Sequence, residues 1–244
     1  MIKGLVPALN QLPHVRAFST QRHGGVSVTP YGSLNVGMHV GDLPASVMEN
    51  RQRLRGFLQL PNEPCWLTQV HGNAVAAITQ GSCSDMPEAD AAYTRTKGTV
   101  LAIQTADCLP ILLASADGRE VAAIHSGWRS LASGIIRATL AHFECQPSDI
   151  HAWLGPAIGP KHFEVGDDVR AAMLALNQNN ETAFVAHGEK YMANLAQIAT
   201  RELADCGVVQ VENSEHCTFA KKKDYFSYRR DGQTGRMVSL IWIE

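Results

Sequence analysis

The chain has 244 residues, of which 45 % are hydrophobic and 18 % are charged, a composition typical of globular proteins and unlike that of disordered chains. Lysine and arginine number 21 against 23 aspartate and glutamate, and the net charge of −2 argues against a nucleic-acid binder. No apolar run reaches the roughly 18 residues of a membrane span, and the N-terminus lacks a signal-peptide pattern. We therefore expect a soluble cytoplasmic protein with one domain over residues 1–244 and neither a nucleic-acid nor a membrane partner.

Short apolar runs predict strands along the chain. The first two runs are predicted to pair about a turn at Gly72-Asn73. A polar loop at 80–89 follows, and residues 116–118 between two later runs predict a β-hairpin. The last run predicts a buried strand at the C-terminus. The predicted strands are 65–72, 73–79, 100–104, 110–115, 120–126 and 237–244.

Four segments predict helices, and Gly207 is expected to end the last of them. The glycine-rich segment 19–42 and the Gly–Pro segment 155–166 predict loops. Mixed strands and helices with hairpins indicate a single-domain α/β or α+β fold. No GxGxxG or Walker sequence is present, so nothing supports a dinucleotide or ATP site. The predicted helices are 45–58, 129–143, 166–177 and 189–205.

The six cysteines form neither a CxxC pair nor a close cluster, so they do not predict a disulfide scaffold. We expect most of them to be small buried hydrophobic residues, which leaves one or two for chemistry. They are Cys65, Cys83, Cys108, Cys145, Cys206 and Cys217.

Three candidate metal ligands stand at or just past predicted strand ends, namely His71, Cys108 and His125. Side chains at strand ends can converge on a common rim, and two imidazoles with one thiolate suit zinc with a fourth position open to water or substrate. The spacings of 37 and 17 residues match no short zinc motif. The alternative therefore stays open that each is a separately satisfied core residue.

Two charged residues that lie close to these candidate ligands in the sequence, Asp107 and Arg129, are further candidate site residues. Asp107 precedes Cys108, and a carboxylate beside a buried thiol needs a partner. A ligand imidazole or a substrate hydroxyl would serve, and capping of a turn is the alternative. Arg129 follows the Ser126-Gly127 turn at a predicted helix N-terminus, where it either completes an anion site or is a solvated first-turn residue.

Three further polar residues could bind a ligand. Arg51 lies on the apolar stripe of helix 45–58, and an arginine on a buried face needs either a protein carboxylate or a ligand phosphate. Arg22 and Asn35 lie in loop 19–42 and carry hydrogen-bonding groups for a polar ligand.

Taken together, the motifs resemble those of the YfiH family, also called laccase-domain or multicopper polyphenol oxidase-like proteins. The resemblance implies a single three-layer α/β domain, a mixed sheet with flanking helices, similar to the cytotoxic necrotizing factors. One departure is Lys161-His162-Phe163, where many relatives have Cys-Cys-Tyr, and this argues against a further metal site in that turn. The motifs cover nearly the whole chain and are HGGVS, SLNVG, TQVHG, EADA, TADCLP, AAIHSGWR, GPAIG, FEVG, FSYRRD and TGR.

The family pattern places His71, Cys108 and His125 as metal ligands. We expect these three residues and Asp107 to be the catalytic residues. The residues that we expect to bind substrate are Arg22, Asn35, Arg51, Gln69 and Arg129.

The resemblance also implies a zinc-dependent enzyme of purine nucleosides, which splits adenosine, inosine and methylthioadenosine with phosphate and deaminates adenosine. Its partners would be nucleosides and phosphate, with a homodimer as one assembly. One alternative is copper-dependent phenol oxidation, because copper binds such sites more tightly than zinc. A four-copper laccase, however, needs H-x-H pairs, and no two of the ten histidines are two residues apart. The other alternative is a Cys–His hydrolase or amidase that edits peptidoglycan precursors, with Cys108 as nucleophile and His125 as base.

Overall fold

The structure, a computed structural model, describes residues 1–79 and 85–244. Cys83 and the first half of the predicted polar loop at 80–89 lie outside the described residues. The strands are β1 Gly4–Leu5, β2 Val15–Thr20, β3 Val75–Ile78, β4 Ala91–Thr94, β5 Leu101–Thr105, β6 Leu109–Ser115, β7 Val121–Ser126, β8 Ile150–Leu154, β9 Glu164–Val165, β10 Phe184–His187, β11 Lys190–Ala193, β12 Gln210–Asn213 and β13 Met237–Ile243. The α-helices are α1 Pro44–Leu58, α2 Trp128–Ala132, α3 Ile135–Leu140, α4 Asp167–Leu176, α5 Leu195–Asp205 and α6 Tyr228–Asp231, and 3-10 helices span Ala8–Gln11, Pro147–Asp149 and Gln178–Ala183.

Two sheets form the centre of the molecule. The larger has six strands in the order β12-β8-β6-β7-β4-β3, and the smaller has four in the order β1-β2-β13-β5. A third sheet, β10-β11-β9, lies apart from them in the pairing scheme. Parallel and antiparallel pairs occur together in the six-stranded sheet, since β3 and β12 run parallel to their neighbours. The mixed α/β class predicted from the sequence is confirmed.

Alternation along β6 explains how the layers pack, because successive side chains of a strand point to opposite faces. Ile111 and Leu113 pack in the cluster that contains helices α3 and α5. Leu112 and Ala114 pack in the cluster between the two sheets. Helix, six-stranded sheet and four-stranded sheet thus form the three layers, while α1 packs on the outer face of the smaller sheet through Leu54.

Several predicted elements are confirmed. The β6–β7 hairpin forms about Gly118, whose φ of 70° suits a residue without a Cβ atom. Helices α1 and α4 lie within a residue of their predicted bounds, and Gly207, with a φ of 91°, follows the end of α5. The C-terminal strand β13 is buried along its whole length.

The hairpin predicted for 65–72 and 73–79 is wrong. Strand β3 instead pairs in parallel with β4, and the segment before it makes only isolated bridges, from Cys65 to Leu101 and from Thr68 to Glu88. The backbone N–H groups of residues 70–72 donate to the carboxylate of Asp90, so they are not available for a strand ladder.

Two predicted helices are shorter than expected. Segment 129–143 forms α2 and α3, which are separated at Gly134 because its φ of 81° is left-handed. Segment 189–205 begins as strand β11, and only α5 is helical. The side chain of Asn194 accepts a hydrogen bond from the Gln197 N–H and so fixes the start of α5. Among the described residues, no helix is both long and apolar enough to cross a membrane.

Candidate metal centre

Strand pairing and one loop bring His71, Cys108 and His125 together. In the β6–β7 pair, Leu109 lies opposite Ser126 and Pro110 opposite His125, so Cys108, which precedes β6, lies beside the end of β7. His71 lies in the loop before β3 with a left-handed φ of 62°, and not at the strand end that the sequence predicted. The three residues thus come from separate parts of the chain.

The distances among the three side chains suit a metal ion. The Sγ atom of Cys108 is 3.9 Å from His71 Nε2, and one ligand atom of each residue lies within 4.8 Å of the others. Ligands of tetrahedral zinc, with bonds of about 2.0–2.3 Å, lie roughly 3.3–3.8 Å apart, so small side-chain adjustments would complete the geometry. Within residues 1–79 and 85–244, no second cluster of three such ligands forms.

Access to the centre is from one side. His125 is buried, Cys108 is half-buried, and His71 is exposed. A ligand from solvent therefore reaches the cluster past His71, which leaves room for a fourth ligand on a bound metal ion.

Asp90 organises the cluster from beneath. Its Oδ1 atom lies 2.8 Å from Nδ1 of His125 and accepts the backbone N–H of His71 at 2.9 Å. Its Oδ2 atom accepts the N–H groups of Val70 at 3.2 Å and Gly72 at 2.7 Å. A histidine that donates from Nδ1 to a carboxylate presents the lone pair of Nε2, which is the usual arrangement behind a metal ligand. Asp90 thereby orients one imidazole and shapes the loop that carries the other.

The protonation of the cluster is set by its mutual contacts. Burial alone would raise the pKa of the Cys108 thiol, but the charge of His125 and hydrogen bonds from both histidines outweigh it and lower that pKa to about 6. Burial would lower the pKa of His125, yet the Cys108 charge and the hydrogen bond to Asp90 raise it to about 9. Without a metal ion, the pair is therefore a thiolate beside an imidazolium at neutral pH.

Gly127 leaves the space that the cluster needs. A Cβ atom at this position would lie 3.1 Å from Cys108 Sγ and 3.1 Å from His71 Cδ2. Both distances are shorter than ordinary van der Waals contact, although the backbone of Gly127, with φ −66° and ψ 163°, suits any residue. The donor set, the carboxylate behind His125 and this space all fit a bound zinc or copper ion.

Asp107 does not contact a ligand imidazole. Its φ is 100°, and its carboxylate accepts hydrogen bonds from the Thr218 hydroxyl at 2.5 Å, the Ser227 hydroxyl at 3.0 Å and the Arg229 N–H at 2.7 Å. The structure thus favours the capping alternative, in which Asp107 ties the Cys108 loop to the start of α6.

The polar groups of Gln69, Arg22 and Asn35 bind the protein itself. Gln69 exchanges two hydrogen bonds with the backbone of Gln104, at 2.8 and 2.9 Å. Arg22 donates to the carbonyls of Gly32 and Lys222 and stacks on an aromatic ring. Asn35 is fully buried, and its amide bonds Gly37, Asp42 and the Arg236 N–H. These three side chains shape the loops around the centre.

The two remaining arginines differ in environment. Arg51 is half-buried, donates to the Val36 carbonyl and lies 3.7 Å from the centroid of the Trp66 ring. Among the described residues, no carboxylate lies within ion-pair distance of Arg51, so of its two candidate partners the protein carboxylate is not found there. Arg129 is exposed and lies over the ring of Trp128. Arg129 lies two residues from Gly127 and therefore near the cluster.

Two residues of this region were missed by sequence reasoning. Asp90 lies in EADA, a motif of the resemblance, but nothing local to that motif shows that it faces His125, which is 35 residues away. Arg236 lies in TGR, and its backbone N–H donates to Asn35, which lies 201 residues earlier in the chain. An acidic residue just before a buried strand was the available signal for Asp90.

The fold and the cluster define a mixed α/β protein with a His/Cys/His centre suited to one metal ion. Residues 16–244 match the model of the family described as multi-copper polyphenol oxidoreductase laccase. The chain is 49 % identical over 243 residues to a protein of Escherichia coli K12 named purine nucleoside phosphorylase YfiH, with 100 % of both chains covered. It is 44 % identical over 247 residues to a Haemophilus influenzae protein named purine nucleoside phosphorylase, again over 100 % of both.

Solved structures agree with these sequence matches. A Neisseria meningitidis protein superposes with a TM-score of 0.91 at 39 % identity, covering 99 % of each chain. A Bacillus licheniformis protein described as hypothetical protein YfiH has a TM-score of 0.91 at 30 % identity, covering 97 % of this chain and 94 % of that one. The chain belongs to this YfiH family of laccase-domain proteins, as its motifs indicated.

Proposed function

We propose that the protein is a zinc-dependent purine nucleoside phosphorylase that acts on adenosine, inosine and methylthioadenosine and also deaminates adenosine. The observation that carries the proposal is the His71–Cys108–His125 cluster with Asp90 behind it. It occurs in a chain whose relatives, similar over their full length, are named purine nucleoside phosphorylases.

Each residue of the centre has a distinct part in this proposal. His71, Cys108 and His125 would hold the ion, and Asp90 keeps His125 in the tautomer that presents Nε2. When bound, zinc supplies a Lewis acid that polarises a substrate oxygen or nitrogen. Because His71 is exposed and His125 is buried, the substrate would enter along the His71 side of the cluster.

Phosphorolysis makes a further demand on the protein. A phosphate oxygen forms a bond to C1′ of the sugar while the C1′–N bond to the base breaks, and the departing base takes up a proton. The protein must therefore hold phosphate close to the sugar with cationic or N–H donors. Arg51 and Arg129 are the cationic candidates from the sequence, and Arg129, which is exposed near Gly127, is accessible to a ligand.

The proposal is tested by metal analysis and product analysis of the same preparation. We expect about one zinc per chain by elemental analysis. We also expect free base and sugar 1-phosphate from inosine only when phosphate is present, with ammonia released from adenosine without it. The Cys108→Ala variant should lose both products and the metal. Turnover that is undiminished after complete removal of metal would contradict the zinc proposal.

A second candidate function is favoured by the Cys108–His125 pair itself. A thiolate beside an imidazolium is the resting state of cysteine hydrolases and amidases, and the pKa values of about 6 and 9 describe that state. Peptidoglycan precursors would then be the substrates. The metal content separates the two functions, because a zinc ion occupies the thiolate and leaves it a poor nucleophile. Copper in place of zinc in the fresh preparation would instead favour phenol oxidation, which an oxygen-uptake assay measures.

A further inference from the structure

A cavity of about 440 Å³ opens beside β13 and α6, and none of the three candidate metal ligands lines it. Its wall includes His39, Tyr228, Thr234 and Arg236. The volume falls within the range of about 300–1,000 Å³ that is usual for small-molecule sites. The cavity is larger than one small inorganic ion, so it also accommodates a larger molecule that carries an anionic group.

Arg236 brings a positive charge to the wall of this cavity. His39 lines the same cavity. Burial lowers the pKa of His39, and the charges of Arg236 and Arg51 lower it further, which favours the neutral imidazole. Within the described part of the chain, neither Arg51 nor Arg236 forms an ion pair with a carboxylate. Glu63 acts on Arg51 only from beyond ion-pair distance. A guanidinium that is partly withdrawn from water and lacks a paired carboxylate is stabilised by a bound anion.

A buried hydroxyl group in the same wall also lacks a partner. Thr234 is 1 % exposed, and its Oγ1 atom has no hydrogen-bond partner among the described residues. Buried polar groups are nearly always hydrogen-bonded, so an orphan hydroxyl at a cavity indicates a bound molecule that supplies the missing bond. This observation is independent of the charge of Arg236.

The guanidinium of Arg236 is held in place but not saturated. Its Nη1 atom donates to the carbonyls of Thr234 and Gly235, both at 3.1 Å, and its backbone N–H donates to Asn35 Oδ1 at 2.8 Å. In the described residues, Nε and Nη2 make no such bond, so they remain for a ligand. Two adjacent N–H groups of a guanidinium are a good match for two oxygens of an oxyanion.

The cavity also lies near the metal centre. Met237 pairs with Thr105 in the β13–β5 ladder, and the same register places Arg236 level with Ala106, two residues before Cys108. The negative charges of Cys108 and Asp107 both act on the guanidinium of Arg236. An anion held by Arg236 would therefore lie on the flank of the Cys108 loop.

We propose that Arg236, Thr234 and His39 form an oxyanion site and that, resting on the proposed function, its ligand is the phosphate that attacks the nucleoside. The charge of Arg51 also acts on His39, although Arg51 does not line the cavity. Arg129 does not belong to this site. The assignment thus moves the phosphate away from the Ser126-Gly127 turn, where the sequence suggested it, to the wall formed by β13.

Binding of inorganic phosphate, measured by calorimetry on the metal-loaded protein without nucleoside, tests the site directly. Arg236→Met should weaken phosphate binding about 10- to 100-fold, the loss expected for a charge-assisted pair of hydrogen bonds. Thr234→Val should weaken it by a smaller factor without lowering the unfolding temperature, because the hydroxyl has no partner in the protein. Thr234→Val also keeps the test decisive if Arg236→Met fails to fold.

Arg53→Met is the matched control, since Arg53 lies on the same helix as Arg51 but is exposed and pairs with Glu49. It should leave phosphate binding unchanged. If Arg129→Met abolishes binding while Arg236→Met and Thr234→Val leave it intact, the assignment is overturned.

Nucleoside turnover separates this proposal from the proposed function. Phosphate binding that depends on Arg236 in a protein that cleaves no nucleoside would support the oxyanion site and refute the phosphorylase. Phosphorolysis with an unchanged KM for phosphate in both variants would support the phosphorylase and refute the site.

Discussion

Replacement of Asp90 by Asn tests whether this carboxylate builds the metal centre. The side chain is fully buried, and each of its two oxygens serves two groups: Oδ1 serves His125 and the His71 N–H, while Oδ2 serves the N–H groups of Val70 and Gly72. Asparagine has nearly the same shape but carries no charge, and its NH₂ group cannot accept a hydrogen bond. Whichever oxygen is replaced, two donors lose their acceptor.

The size of the effect follows from these contacts. Two hydrogen bonds to a charged acceptor, at about 1.5–3 kcal/mol each, amount to a loss of about 3–6 kcal/mol in the free energy of unfolding. This is a large share of the roughly 5–15 kcal/mol that stabilises a typical domain. Zinc affinity should fall about 10- to 100-fold, as is usual when the partner of a ligand histidine is removed.

Asp107→Asn is the matched control. Asp107 is also a buried carboxylate that accepts three hydrogen bonds, and it precedes Cys108, but it bonds Thr218, Ser227 and Arg229 and not the histidines. Urea unfolding of the metal-free proteins should show a loss of stability in both variants. Competition with a zinc chelator should show weaker zinc binding for Asp90→Asn alone. Equal zinc affinities for the wild type and Asp90→Asn, or equal losses in both variants, would refute the reasoning.

Three further predictions concern the same centre. Cys108→Ala should abolish metal binding and turnover. Cys206→Ala should keep both, because this half-buried thiol lies outside the cluster and burial raises its pKa. Equal losses in the two variants would point to misfolding. Gly127→Ala should weaken zinc binding, since the added Cβ atom would lie 3.1 Å from Cys108 Sγ. The thermal unfolding temperature should stay nearly unchanged, because a φ of −66° suits alanine as well. An unaltered zinc affinity would show that zinc binding does not need the space beside Gly127. Zinc affinity should rise about tenfold per pH unit between about pH 6 and 9, because the pKa of His125 is raised to about 9 and this residue must lose a proton to bind zinc. Below about pH 6 the rise should be steeper, because Cys108, with a pKa of about 6, must then lose a proton too. Chelator competition across this range checks the slope, and a flat profile would contradict the assigned protonation states.

Local sequence patterns were sufficient to predict those helices and turns whose signals lie in neighbouring residues. Helix α1 and the β6–β7 hairpin follow from apolar spacing and from Gly118, since the periodicity of 3.6 or 2 residues and a left-handed turn are properties of adjacent residues. The wrong hairpin at 65–79 had the same kind of local signal. Asp90, however, accepts hydrogen bonds from backbone N–H groups of this segment. Asp90 lies 18 to 20 residues further along the chain, so no local pattern reveals this competition for the donors.

The sequence by itself determined which chemical groups were available, namely the imidazoles, the thiol and the arginines, and, through its motifs, the family. Only the tertiary structure decided their partners: Asp90 serves His125, Asp107 caps α6, and Arg236 lines one cavity with His39. The residues of such pairs are far apart in the chain, and strand register and loop closure bring them within a few ångströms. A pKa, a hydrogen bond or an anion site depends on these distances, which residue order along the chain does not contain.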